Sequence, residues 1–141
     1  MSFSLELKNF TNKAEKNSEK IFRGTAISLF GRIIKRTPVD SGRLKGNWQV
    51  DVNQPATGNV ENIDATPVET MSGGSAIKIQ AGIGKPSLSD TIYMVNNLSY
   101  AKTIERGRIG NKGSSQAPSG MVAVSLTEFK RVLEKEADKV K

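Results

Sequence analysis

The chain has 141 residues, a net charge of +7, no cysteine and no histidine. This length suits one domain with a single core, and the missing residue types exclude disulfides, thiolate–zinc sites and histidine-based catalysis. No stretch approaches the ~20 apolar residues of a membrane span, and the opening MSFSLELKNFTNKAEK lacks the apolar run of a signal peptide, so a soluble chain assembling in a reducing cytosol is expected.

Charge is unevenly placed. Residues 1–47 hold ten basic and four acidic groups, residues 48–98 two and five, and residues 99–141 nine and five. Such a balance fits a nucleic-acid surface, an acidic protein partner, or merely a solvated helix face.

Residues 3–36 read as one long helix or a broken pair. Phe3, Leu7, Phe10 and Ala14 recur at steps of three and four, and Ile21 or Phe22, Ala26, Leu29 or Phe30 and Ile33 continue the stripe. If continuous, this helix would reach ~50 Å, an overhang that implies a neighbouring subunit. Pro38 biases Thr37 away from helix and ends it. Asp40, Ser41 and Gly42 supply turn chemistry. Residues 44–53 then alternate as a strand with Leu44, Trp48, Val50 and Val52 on one face and Arg43, Lys45 and Asn47 opposite.

Residues 54–75 show no sustained period and read as a flexible loop or hairpin extension. Residues 76–83 alternate again, with Ile77, Ile79, Ala81 and Ile83 in register, and residues 91–95 give a third strand, antiparallel through the GKPSLSD turn. Residues 99–107 predict a short helix closing on Gly107. Tyr100 and Ile104 form its buried edge, while Glu105 and Arg106 face outward or across a subunit boundary. Residues 106–115, with Arg106, Arg108 and Lys112, read as a basic surface loop. Pro118 opens a last helix whose stripe is Val122, Leu126, Phe129, Leu133, Ala137 and Val140. The expected fold is α+β in one domain over 1–141: a long N-terminal helix and a C-terminal helix packed on one face of an antiparallel sheet. Trp48, Leu126, Phe129 and Leu133 are expected to meet in its core.

Candidate chemistry is sparse. Glu61, Asp64 and Glu69 lie in the polar loop, where a solvated acidic segment is a better reading than a hydrolase pair, and the spacing of a calcium loop is absent. The glycines of residues 106–113 match neither phosphate-loop pattern. No acid–base–nucleophile set assembles, so no enzyme, cofactor or metal is expected. Trp48 reads as a core anchor rather than a stacking platform. Arg32, Lys35, Arg36, Arg43 and Lys45 form a candidate phosphate-facing patch, which keeps a basic DNA-binding module as the alternative.

Three segments together resemble a known family. R-T-P-V-D-S-G-R-L-K-G-N-W at 36–48, Y-A-K-T-I-E-R-G at 100–107 and Q-A-P-S-G-M-V at 116–122 occur in the order seen in the tail-completion and head–tail joining (neck) proteins of tailed bacteriophages, and the resemblance spans roughly residues 15–140. It implies a non-enzymatic virion structural protein, assembled in the host cytoplasm. Such a subunit would form a ring, six-fold in the particle and monomeric when free, capping the tail tube and joining it to the head connector. Its implied partners are itself, the tail terminator or tube and the connector proteins, with non-specific contact to DNA passing through the neck and no membrane. Interface candidates are Arg32, Lys35, Arg36, Arg43, Lys45, Glu105, Arg106, Arg108 and Lys112; Pro38, Asp40, Gly42, Trp48, Tyr100, Gly107, Pro118 and Gly120 read as fold-defining. The acidic 54–75 and basic 106–115 loops are the expected docking elements.

Overall fold

The apolar stripe at residues 21–34 folds as helix α1, Glu15–Lys35, in a computed structural model that describes residues 2–5, 15–106 and 116–140. Phe22, Ala26, Leu29, Phe30, Ile33 and Ile34 are fully buried along it. As expected, α1 stops just before Pro38. The overlong helix does not form: 21 residues reach about 32 Å. Residues Ser2–Leu5 instead form strand β1, with Phe3 opposite Met94; Leu7, Phe10 and Ala14 lie outside the described residues.

After the corner come a one-turn helix α2 (Arg43–Gly46), strand β2 (Gln49–Val52), helix α3 (Gly73–Ile83), strand β3 (Ile92–Val95) and helix α4 (Ala101–Arg106). Helices α5 (Val122–Leu126) and α6 (Phe129–Lys139) follow. The sheet is antiparallel in the order β1-β3-β2, with Gln49 opposite Val95 and Val52 opposite Ile92. The fold is α+β. Helix α3 lies on β2 and against α1, and α1 carries α6 on another side. A single core of Phe22, Phe30, Trp48, Val50, Ile92, Met94, Met121 and Val132, among others, joins these elements.

Three expected elements differ. Residues 76–83 are helix, because Ser75, Ile79 and Ile83 bury at helical spacing while Ile77 is 69% exposed. In a run of eight residues both periods fit the same isoleucines, and the Ser72 hydroxyl, accepting from Ser75 N at 3.1 Å, starts the helix. Strand β3 therefore pairs with β1 and β2, not with residues 76–83. The start of the 44–53 strand is α2, placing Leu44 on a helical turn. The last helix is two pieces, and Pro118 lies ahead of its first turn. Phe129 and Leu133 pack on the core, but Leu126 is 43% exposed; Val132 is the buried residue of α6.

Candidate functional site

Gly42, at φ +88°, turns the chain from the Pro38 corner into α2. Its carbonyl accepts from Gly46 N and Asp64 N, each at 3.0 Å. A Cβ there would meet the Asp64 and Ala65 backbone at 2.7 Å, so only glycine admits both this conformation and this approach. Asp40 is exposed in the turn and Pro38 buried. The Trp48 indole is fully buried, as expected of a core anchor.

The motif helix α4 serves the motif that follows it. Glu105 does not face outward. Its Oε1 accepts from the backbone N–H of Met121 at 2.6 Å and Val122 at 3.0 Å, and its Oε2 from Ala123 N at 2.9 Å. One carboxylate thus takes the orphan donors at the start of α5. Gly120, at φ +87°, makes room for it: a Cβ would lie 2.6 Å from Glu105 Oε2. Gln116 ties the third motif to the first in two directions, with Val39 N donating to its Oε1 at 2.8 Å and its Nε2 donating to Val39 O at 3.1 Å. Arg36 donates to the Ser125 hydroxyl at 3.0 Å, which donates to Met121 O at 2.8 Å. The three segments are thereby linked hydrogen bond by hydrogen bond. Between them lies an open cleft of about 310 Å³ lined by Pro38, Val39, Arg43, Tyr100, Ile104 and Gln116. Tyr100 is 39% exposed and forms its wall, so the expected buried edge of α4 is instead carried by Ala101 with half-buried Ile104.

The basic patch is dispersed. Arg36 bonds Glu128, Arg32 donates to Glu128 Oε2 at 3.1 Å, and Arg131 donates to the same oxygen at 2.7 Å. The hydrogen bond from Arg36, reinforced by the charges of all three guanidinium groups, holds the Glu128 carboxyl below its ordinary range despite partial burial. Lys45 is fully buried, its Nζ donating to the carbonyls of Thr66, Pro67 and Thr70 at 3.0 Å each. Burial lowers its pKa, against the pull of Asp64 and Glu69. Only Lys35 and Arg43 of the five candidates are exposed. Arg106 is exposed too; Gly107, Arg108 and Lys112 lie outside the described residues.

The loop before α3 is fastened rather than loose. Asp64 is 2% exposed, contrary to the solvated acid expected. Burial alone would raise its pKa. Hydrogen bonds from the Thr66 hydroxyl, Ser72 N, the Ser75 hydroxyl and Thr66 N outweigh that and hold it well below the carboxylate range. Glu61 and Glu69 are exposed. Among the described residues no group of three His, Cys, Asp or Glu could hold a metal, and no helix is long and apolar enough to cross a membrane. Sequence reasoning missed Glu128 and took Asp64 for a solvated acid. The signal for Asp64 was Asp64-Ala-Thr66, whose side chain bonds the backbone two residues on.

Comparison with family models, curated proteins and solved structures finds no match to this chain.

Proposed function

We propose that the chain is a non-enzymatic virion assembly subunit of the phage neck, a ring-forming tail-completion or head–tail joining protein. The observation that supports this reading best is the convergence of the three resembling segments. Residues 36–48, 100–107 and 116–122 are far apart in sequence, yet Gln116–Val39, Arg36–Ser125–Met121 and Glu105–Met121 tie them into one unit. Motif residues that depend on each other physically are a stronger basis for a family reading than three short matches. Two earlier supports fall away: α1 does not overhang the core, and the 54–75 segment is partly fastened to it by Lys45 and Asp64.

The test removes the chain from phage that encode it. Particles made without it should accumulate as DNA-filled heads and separate tails, complementation should restore joining, and gold-labelled antibody should mark the head–tail joint. Complete, infectious particles without the chain would overturn the reading.

A further inference from the structure

Lys45 is fully buried, and its Nζ donates to three backbone carbonyls, those of Thr66, Pro67 and Thr70, at 3.0 Å each. The Thr66 hydroxyl lies 3.4 Å from the same nitrogen. Its proton goes to Asp64 Oδ1 at 2.5 Å, so its lone pairs face the amine. These four oxygens all come from residues 66–70, an arrangement that encloses a small cation. A protonated lysine has three N–H donors and no acceptor, which matches three carbonyls. A neutral amine has two donors, and its lone pair would face the third oxygen. Burial opposes the charge, while Asp64 and Glu69 favour it.

The cage is closed by a turn that needs holding. Thr70 N donates to Pro67 O at 3.1 Å, and inside that turn Glu69 sits at φ +76°, a left-handed conformation that glycine takes freely and other residues at a cost. Such a backbone persists where its surroundings over-determine it. Lys45 bonds the carbonyl at each end of the turn, and Lys35 O accepts from Glu69 N within it at 2.6 Å. Further along, Gly42 O accepts from Asp64 N and Asn47 Oδ1 from Val60 N, each at 3.0 Å. Gly46 approaches so closely that a Cβ would lie 2.2 Å from Asn62 O. Residues 60–72 thus form a strap laid against α2, and among the α2 groups bonded to it Lys45 brings the charge.

We propose that residues 66–70 are a cage for one primary ammonium group, filled from within by Lys45, and that its filling keeps the strap closed. The consequence reaches the surface. The strap supplies Glu69 and Met71 to the groove along α1, and Glu61, Ile63 and Ser72 to the cleft beside α3. Both lose a wall when the strap lifts, so one internal cation sets the shape of two outer concavities. This device is independent of the neck assignment.

Lys45→Ala removes the atoms from Cγ to Nζ, a fragment the size of n-propylammonium. In the full-length variant, hydrogen exchange of the Asp64, Glu69 and Ser72 amides should speed up about tenfold or more as the charged hydrogen bonds are lost. The amides of α1 and β3 should stay protected. n-Propylammonium should restore slow exchange saturably. 1-Propanol, of the same length but uncharged, and tetramethylammonium, charged but without N–H, should not. Exchange unchanged by the substitution, or rescue by 1-propanol as good as by the ammonium, would overturn the proposal. The parent chain gives an independent reading that needs no variant to fold. Its Lys45 side-chain nitrogen should appear by NMR as a slowly exchanging ammonium coupled to the carbonyl carbons of Thr66, Pro67 and Thr70. A neutral amine there, or an ammonium in rapid exchange with water, would equally overturn it.

Discussion

Trp48 donates its indole N–H to the hydroxyl of Thr37 at 2.8 Å, and that hydroxyl donates in turn to the carbonyl of Ile33 at 2.8 Å. Both residues are fully buried. The end of α1 is thus fixed to the residue just before β2, across the corner made by Pro38 and Gly42. In an apolar interior the indole N–H has no other recourse, so Thr37 decides whether Trp48 is a satisfied anchor or a strained one.

Thr37→Val keeps the shape of the side chain and removes both hydrogen bonds. The unpartnered indole N–H should cost about 1–3 kcal/mol, read as a lower urea midpoint at unchanged slope. Thr37→Ser should recover most of it. Equal midpoints for the parent and the valine variant would show that the bond contributes nothing.

Glu105 and Gly120 should be coupled. Glu105→Ala leaves three N–H groups at the start of α5 without their acceptor and should cost about 0.5–2 kcal/mol. Gly120→Ala adds a Cβ 2.6 Å from Glu105 Oε2 at a backbone of φ +87°, so it should exceed ~1 kcal/mol from conformation alone. In a background already lacking the Glu105 carboxylate the steric part disappears and only the conformational part remains. The double variant should therefore be more stable than the sum of the singles predicts. Strict additivity would mean that the two residues do not meet.

Acid should loosen the segment beneath α3. Asp64 has its folded-state pKa lowered, so its contribution is fully present above the unfolded carboxylate value of about 3.9 and disappears as pH falls below it. Glu128, also lowered, adds a slope of the same sign. Stability measured in urea should hold between neutral pH and about pH 5 and then decline. Asp64→Asn should be less stable at neutral pH and show a shallower acid decline, with Glu128 and Asp90, whose carboxyl is lowered by hydrogen bonds from Asn53 and Ser87, contributing to what remains. Parallel profiles for parent and variant would remove Asp64 as the cause.

Much of this molecule was legible where one residue dictates the backbone. Pro38 ended the first helix, Gly42 turned the corner, and the apolar 91–95 run became β3. The misreadings share a physical origin: short segments whose pattern satisfies two periods. Ile77, Ile79 and Ile83 alternate, yet Ile79 and Ile83 are also four apart, and only the Ser72 cap and the neighbouring α1 and β2 select the helix. Phe3 fits a helical stripe, but the edge of β3 takes the segment as a strand. Side-chain destinations were least legible. Glu105 and Lys45 read as surface charges because their partners are mainly backbone N–H and C=O groups, which leave no mark in a sequence.

The DNA-binding alternative makes a quantitative claim that the arrangement of its cations alters. Five phosphate contacts from Arg32, Lys35, Arg36, Arg43 and Lys45 would give a log–log salt slope near −4.5. Lys45 is buried under carbonyls, and Arg32 and Arg36 are held by Glu128. Lys35 and Arg43 remain exposed, and two contacts give a slope near −1.8. The isolated protein should accordingly bind duplex DNA weakly at physiological salt, with no preference among sequences, because two lysine- or arginine-to-phosphate contacts position a protein but read no base. Fluorescence anisotropy of a labelled duplex across a salt series measures both affinity and slope. Submicromolar binding with a slope steeper than about −4, abolished by Arg36→Glu together with Arg43→Glu, would require Arg36 to leave Glu128 for phosphate. That result would place DNA ahead of a protein partner for this surface. Weak binding that neither substitution changes would leave Arg36 as the link between α1 and Ser125–Met121, a structural role whose loss appears in thermal melts instead.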